Sequence, residues 1–108
     1  MARRHERVLE RAEALFSALC EGNRLALLLE LCRSKKPCPV SALARCCTID
    51  LSVVSRHLAV LKRASVVEAE RHGREVLYSV DPTALATTLR DLADAIEGAA
   101  GNAKGARA

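Results

Sequence analysis

Aromatic residues are almost missing from this chain of 108 residues, which has one phenylalanine, one tyrosine and no tryptophan. Proteins that read RNA or single strands stack the bases on aromatic side chains, so this scarcity excludes stacking as the main mode of binding. The sequence also has no apolar run near the roughly 18 residues that a membrane-spanning helix needs. We therefore expect a folded domain with no membrane partner.

Motifs of catalytic sites and a secretory signal are missing too. The sequence has no Gly-rich phosphate loop and no Cys-x-x-Cys pair, and Cys38 stands one residue too far from Arg45 for the loop of a phosphate-binding cysteine enzyme. The first residues lack the apolar core of a secretory signal. These observations predict a cytoplasmic protein that is not an enzyme.

Positive charge is concentrated in the middle of the chain. The formal net charge is +4, and residues 33–63 hold seven lysines and arginines against Asp50 alone, which gives +6 there and −2 elsewhere. A basic segment of this kind is typical of a surface that meets a polyanion, with duplex nucleic acid first and an anionic membrane second. A merely solvated face is the alternative that charge alone leaves open.

Hydrophobic spacing predicts four helices, a β-hairpin and a final helix. The helices cover residues 6–20, 24–33, 40–47 and 51–64, with Gly22 ending the first, Asn23 capping the second and a proline-containing loop before the third. The second helix is apolar nearly all round and is expected to be buried. Alternation over residues 66–80 predicts the hairpin, and Asp81-Pro82 begins a helix that ends near residue 97. This order, α-α-α-α-β-β-α, predicts a mainly α winged helix-turn-helix domain over residues 1–97 and a flexible tail over 98–108.

The second helix of such a motif enters the DNA major groove, which is about 12 Å wide, so its outer positions should be small or hydrogen-bonding. The expected contacts to double-stranded DNA lie on this helix and on the tip of the hairpin wing. They are Ser52, Ser55, Arg56, His57 and Lys62 on the helix, and Arg71, His72 and Arg74 on the wing.

Two stretches resemble the bacterial ArsR/SmtB metalloregulators: residues 50–61, DLSVVSRHLAVL, and residues 66–78, VVEAERHGREVLY. The resemblance implies a homodimeric repressor, paired through its first and last helices, that leaves a palindromic operator when an ion or oxidant binds. It matches Ser55, Arg56 and His57 to the groove-reading helix and Arg74 to the wing contact. The Cys-Val-Cys box of arsenic-sensing members is replaced by Pro39-Val40-Ser41, and the last helix has no histidine for a zinc site.

Five cysteines lie in the first half of the chain and should stay reduced in the cytoplasm. Thiolates are the ligands that soft ions prefer, so Cys32, Cys38, Cys46 and Cys47 are the candidate metal ligands. The expected inducer is arsenite, antimonite or another thiophilic ion, with no permanent cofactor. Cys20 is expected to pack between helices, and Cys47 could equally fill the core as a small apolar residue.

Two other functions fit the same sequence pattern, one of a regulator and one of a protein-binding module. One is a repressor of the same fold that senses oxidants or persulfides through a reversible bridge between two cysteines. The other is a wing domain that binds proteins and has lost DNA binding, which Arg56 and the basic middle segment disfavour.

Overall fold

The computed structural model of the chain describes residues 2–107, with side chains over residues 6–101. Its elements are α1 (Ala2–Leu19), α2 (Gly22–Ser34), β1 (Cys38–Pro39), α3 (Val40–Cys47), α4 (Leu51–Arg63), β2 (Glu68–His72), β3 (Glu75–Ser79) and α5 (Pro82–Arg107). The predicted order of helices and hairpin is confirmed, and the short strand β1 is added to it.

The corner between α1 and α2 differs from the prediction. Gly22 is the first residue of α2 and not the cap of α1, and Glu21 takes the N-cap position that the sequence assigned to Asn23. The Glu21 carboxylate accepts a hydrogen bond from the backbone N–H of Arg24 at 3.3 Å, which satisfies one free amide of the first turn.

The core lies where α2, α3 and α4 meet. Leucine and valine side chains from these three helices are fully buried there: Leu27, Leu43, Val54, Leu58 and Leu61. Only one side of α2 takes part, because Leu25 and Leu29 remain 42% and 52% exposed. The second helix, which was expected to be buried, is therefore buried on one side only.

The three strands form an antiparallel sheet in the order β1-β3-β2. Gly73, with a φ of +64°, lies in the left-handed region at the turn of the β2–β3 hairpin, a conformation that glycine adopts without steric cost. On the other side of β3, Cys38 pairs with Tyr78 and Pro39 with Leu77. This pairing corrects the expectation that Cys38 lies in a loop: it is in an edge strand and is buried.

The last helix begins as predicted and ends later. The Asp81 carboxylate accepts hydrogen bonds from the backbone N–H groups of Thr83 and Ala84 at 3.0 and 3.1 Å, and Pro82 is the first helical residue. The helix continues through the alanines around Gly98 to Arg107, so the predicted end of the helix near residue 97 is wrong. The division into a domain over residues 1–97 and a tail over residues 98–108 stays a prediction. Among the described residues, no helix combines the length and apolar character that spanning a bilayer requires.

Candidate nucleic-acid interface

A short turn joins α3 to α4. Thr48 caps α3 in the left-handed conformation, with a φ of 55°, and its backbone N–H bonds to the carbonyl of Ala44. Ile49 bonds to the same carbonyl at 3.1 Å, and the carbonyl of Asp50 accepts from Val54 at 2.9 Å. Asp50 stands at the N-cap of α4, but its side chain makes no capping bond, so the backbone alone begins this helix.

Helix α4 buries one side and presents a basic surface on the other. Val54, Leu58 and Leu61 are buried, whereas Ser52, Ser55 and Arg56 are exposed. Exposed Lys62 and Arg63 follow in the last turn. The helix contains no acidic residue, so its outer side combines small hydrogen-bonding side chains with three positive charges. A major groove accepts a helix of this composition.

His57 does not lie on that outer surface. Its side chain is only 16% exposed, and its Nε2 lies 3.3 Å from a carboxylate oxygen of Glu21. Its Nδ1 lies 3.4 Å from a guanidinium nitrogen of Arg24, and Arg24 also donates to the carbonyl of Ala18 in α1. The expected groove-facing position of His57 is therefore corrected: it contacts the α1–α2 corner.

The contacts of His57 fit one neutral tautomer. With the proton on Nε2, the ring donates to Glu21 and accepts from Arg24 at Nδ1, which satisfies both nitrogens. The helical spacing of the apolar residues already indicates this position. His57 lies three residues after Val54 and four before Leu61 and so borders the buried side of α4. Glu21 and Arg24 carried no signal for this role in the sequence.

The wing presents its basic tip to solvent. Arg71, His72, Gly73 and Arg74 are all exposed, and His72 Nε2 lies 3.2 Å from a carboxylate oxygen of Glu70. Since the tip is held by the β2–β3 ladder, its two arginines are placed together at one end of the sheet.

The candidate metal ligands are spread over three elements. Cys38 lies in β1, with its Sγ 3.3 Å from the Ser34 hydroxyl and 3.4 Å from the carbonyl of Lys36. Cys32 lies in α2, and Cys46 and Cys47 end α3. Within the part of the chain whose side chains are described, no three histidine, cysteine or acidic side chains come together as metal ligands.

Two further cysteine positions are informative. Cys20 is exposed and donates to the carbonyl of Ser17 at 3.0 Å, so the expectation that it packs between helices is wrong. Cys47 is half-buried, and burial, followed by the negative charges of Glu30 and Cys46, raises the pKa of its thiol, while Arg33 offsets part of the shift. This thiol is therefore protonated at neutral pH.

A short helix, a tight turn, a basic helix anchored in the core and a two-stranded wing together define a winged helix-turn-helix domain. The comparisons with known proteins agree. Residues 19–70 match the family model described as a helix-turn-helix domain. The transcriptional repressor SmtB of Mycobacterium tuberculosis is 39% identical over 84 residues, which cover 78% of this chain and 61% of SmtB. The chain thus spans about 61% of that relative's length.

Two more relatives extend the match. The transcriptional regulator Rv2034 of Mycobacterium tuberculosis is 38% identical over 77 residues, covering 71% of this chain and 70% of the relative. A homodimeric winged helix-turn-helix DNA-binding domain from Mycobacterium bovis, a possible ArsR-family regulator, superposes with a TM-score of 0.67 at 26% identity and covers 88% of this chain and 87% of its own. The chain belongs to the ArsR/SmtB family of transcriptional regulators, which confirms the resemblance and the expected class of regulator rather than enzyme.

Proposed function

We propose that the protein is a cytoplasmic transcriptional repressor that binds double-stranded DNA as a homodimer and leaves it when a thiophilic metal or metalloid ion binds its cysteines. The observation that carries the proposal is the exposed side of α4, which is small, basic and free of carboxylates. A surface that repels no phosphate and offers hydroxyl and guanidinium donors suits a major groove.

The proposed DNA contacts divide by role. Ser52, Ser55 and Arg56 lie on the outer side of α4 and face the base edges in the groove. Arginine binds guanine through two parallel hydrogen bonds, so Arg56 is the proposed base reader. Lys62 at the end of α4 and the wing residues Arg71, His72 and Arg74 contact phosphates, which fix the register of the protein on the duplex.

The homodimer is proposed from the uncovered apolar side chains of α1 and α5. These two helices pack against each other, yet Leu9, Phe16, Leu89 and Ile96 remain between 44% and 62% exposed. Leu9 and Phe16 are seven residues apart on α1, as are Leu89 and Ile96 on α5, so each pair lies along one side of its helix. A second copy would cover both pairs, and the related domain from Mycobacterium bovis is homodimeric.

DNA binding is tested by titrating the reduced protein into a fluorescent duplex selected from a random-sequence library. We expect saturable binding whose affinity falls steeply as salt is added, because lysine and arginine contacts displace counterions from phosphate. Arsenite, antimonite, cadmium and zinc are then added to the complex, with a persulfide donor as the comparison. Failure to enrich any duplex would reject DNA binding, and release by the persulfide donor alone would replace metal sensing with redox sensing.

A further inference from the structure

A large apolar side chain is exposed at the start of α4. Leu51 is the first residue of this helix and is 55% exposed. The other two leucines of α4, Leu58 and Leu61, are fully buried, and Ile49, two residues before Leu51, packs against the core. A single exposed leucine is ordinary on a protein surface. This one is informative because it begins the proposed DNA-reading helix.

Leu51 shares one line of the outer side of α4 with two of the proposed DNA contacts. Intervals of four and seven residues place Leu51, Ser55 and Lys62 one above the other on the helix, and all three are exposed. In a helix-turn-helix domain, the N-terminal residues of the second helix contact the base edges. Leu51 therefore enters the groove together with Ser55.

The first turn of α4 suits bases better than phosphates. Residues 51–54 carry no charge, and the positive side chains of the helix begin at Arg56. A helix N-terminus can bind phosphate, but Asp50 stands at this one, exposed and without a capping bond from its side chain. Its carboxylate repels phosphate, so the neighbouring leucine faces the base edges rather than the backbone.

The proposed dimer leaves this turn open. The apolar residues assigned to the dimer lie on α1 and α5, which pack against each other, whereas α4 packs against α2 and α3. A second copy seated on α1 and α5 would therefore not cover Leu51, which remains available to the duplex.

We propose that Leu51 is a specificity-determining residue that packs against the C5-methyl group of a thymine in the major groove. The inference rests on the proposed function and deepens it by naming one base of the operator. The thymine methyl is the apolar group that base edges present in the major groove, so an apolar side chain there distinguishes thymine from the other bases. Leu51 and Arg56 are about 7.5 Å apart along the helix axis, roughly two base-pair steps. The thymine should therefore lie in the same half-site as the guanine proposed for Arg56.

The inference is tested on the selected duplex by replacing each thymine in turn with deoxyuridine. This exchange removes the C5-methyl group and leaves the base pairing intact. Affinity is measured by fluorescence anisotropy with the reduced full chain. At one thymine of the half-site, deoxyuridine should weaken binding of the wild type by about fourfold, the ratio that corresponds to one buried methyl group.

Protein variants then show whether Leu51 is the residue that senses the methyl group. Leu51→Ala should bind the thymine duplex more weakly than the wild type and lose its sensitivity to deoxyuridine at that position. Leu25→Ala, which shortens another exposed leucine, on α2, should match the wild type on both duplexes. Circular dichroism confirms that each variant is folded, and Leu51→Gln repeats the test if Leu51→Ala is not.

Three results would overturn the inference and leave the proposed function intact. They are a wild type that is indifferent to deoxyuridine at every thymine, a selected duplex without thymine in its half-site, and a Leu51→Ala variant that keeps the sensitivity of the wild type. Failure to enrich any duplex would instead reject the proposed function, and with it any role of Leu51 in reading DNA.

Discussion

At the scale of single residues, the burial of each cysteine distinguishes a thiol that can react from one that packs in the core. Cys46 and Cys20 are exposed, Cys38 is buried beside a serine hydroxyl, and Cys47 lies between these extremes. Cysteine is apolar enough to fill a core and nucleophilic enough to bind metal, so residue type alone could not tell these roles apart. The sequence supplied the candidate cysteines, which stay a prediction, and the pairing of β1 with β3 places Cys38 before the start of α3 while Cys46 lies at its end.

The thiols of Cys46 and Cys47 should differ in reactivity. At pH 7.5 we expect iodoacetamide to modify Cys46 faster than Cys47, because alkylation needs an exposed thiolate and burial raises the pKa of Cys47. The rate at Cys47 should still be rising with pH above about 8.5, the value of an ordinary thiol. Peptide mass spectrometry over time measures both rates, with exposed Cys20 as the internal reference, and equal rates at Cys46 and Cys47 would refute the burial argument.

At the scale of elements, the helices and hairpin were predictable because each has a clear period. The apolar spacing of α4 and the alternation in the wing are local signals that folding leaves intact. Two of the misassigned features depend on contacts distant in sequence: β1 forms only because β3 lies beside it, and His57 turns inward because Glu21 and Arg24 meet it there. The N-cap of α2 was misassigned because a glutamate took a position that asparagine usually fills.

The contacts of His57 should stabilise the packing of α4 against the α1–α2 corner. The substitution His57→Leu removes both polar contacts and leaves Arg24 and Glu21 without this partner. The free energy of unfolding should therefore fall by about 1 kcal/mol. His57→Gln keeps one donor and one acceptor and should retain most of the stability. Urea denaturation measures each value, with exposed His72→Gln as the control; equal stability of His57→Leu and the wild type would show that the contacts contribute nothing.

At the scale of the whole molecule, the exposed apolar residues of α1 and α5 predict assembly in pairs. Ile96→Glu places a charge on the apolar side of α5 and should shift the protein from dimer to monomer in analytical ultracentrifugation, because burying an unpaired carboxylate is unfavourable. Arg90→Gln makes the chain more negative by the same one unit, on the polar side of the same helix near Asp94 and Glu97, and should leave the mass unchanged. A wild-type protein that is monomeric at micromolar concentration would contradict the dimer.

Reading of DNA by the outer side of α4 is the central part of the proposed function. The most direct measurement is the affinity of Arg56→Ala for the selected duplex, compared with that of Arg90→Ala, which removes one exposed charge from α5. We predict that Arg56→Ala weakens binding by about 1 to 3 kcal/mol and relaxes sequence preference, while Arg90→Ala has little effect. Equal affinities of both variants and the wild type would contradict the assignment of α4 as the reading helix.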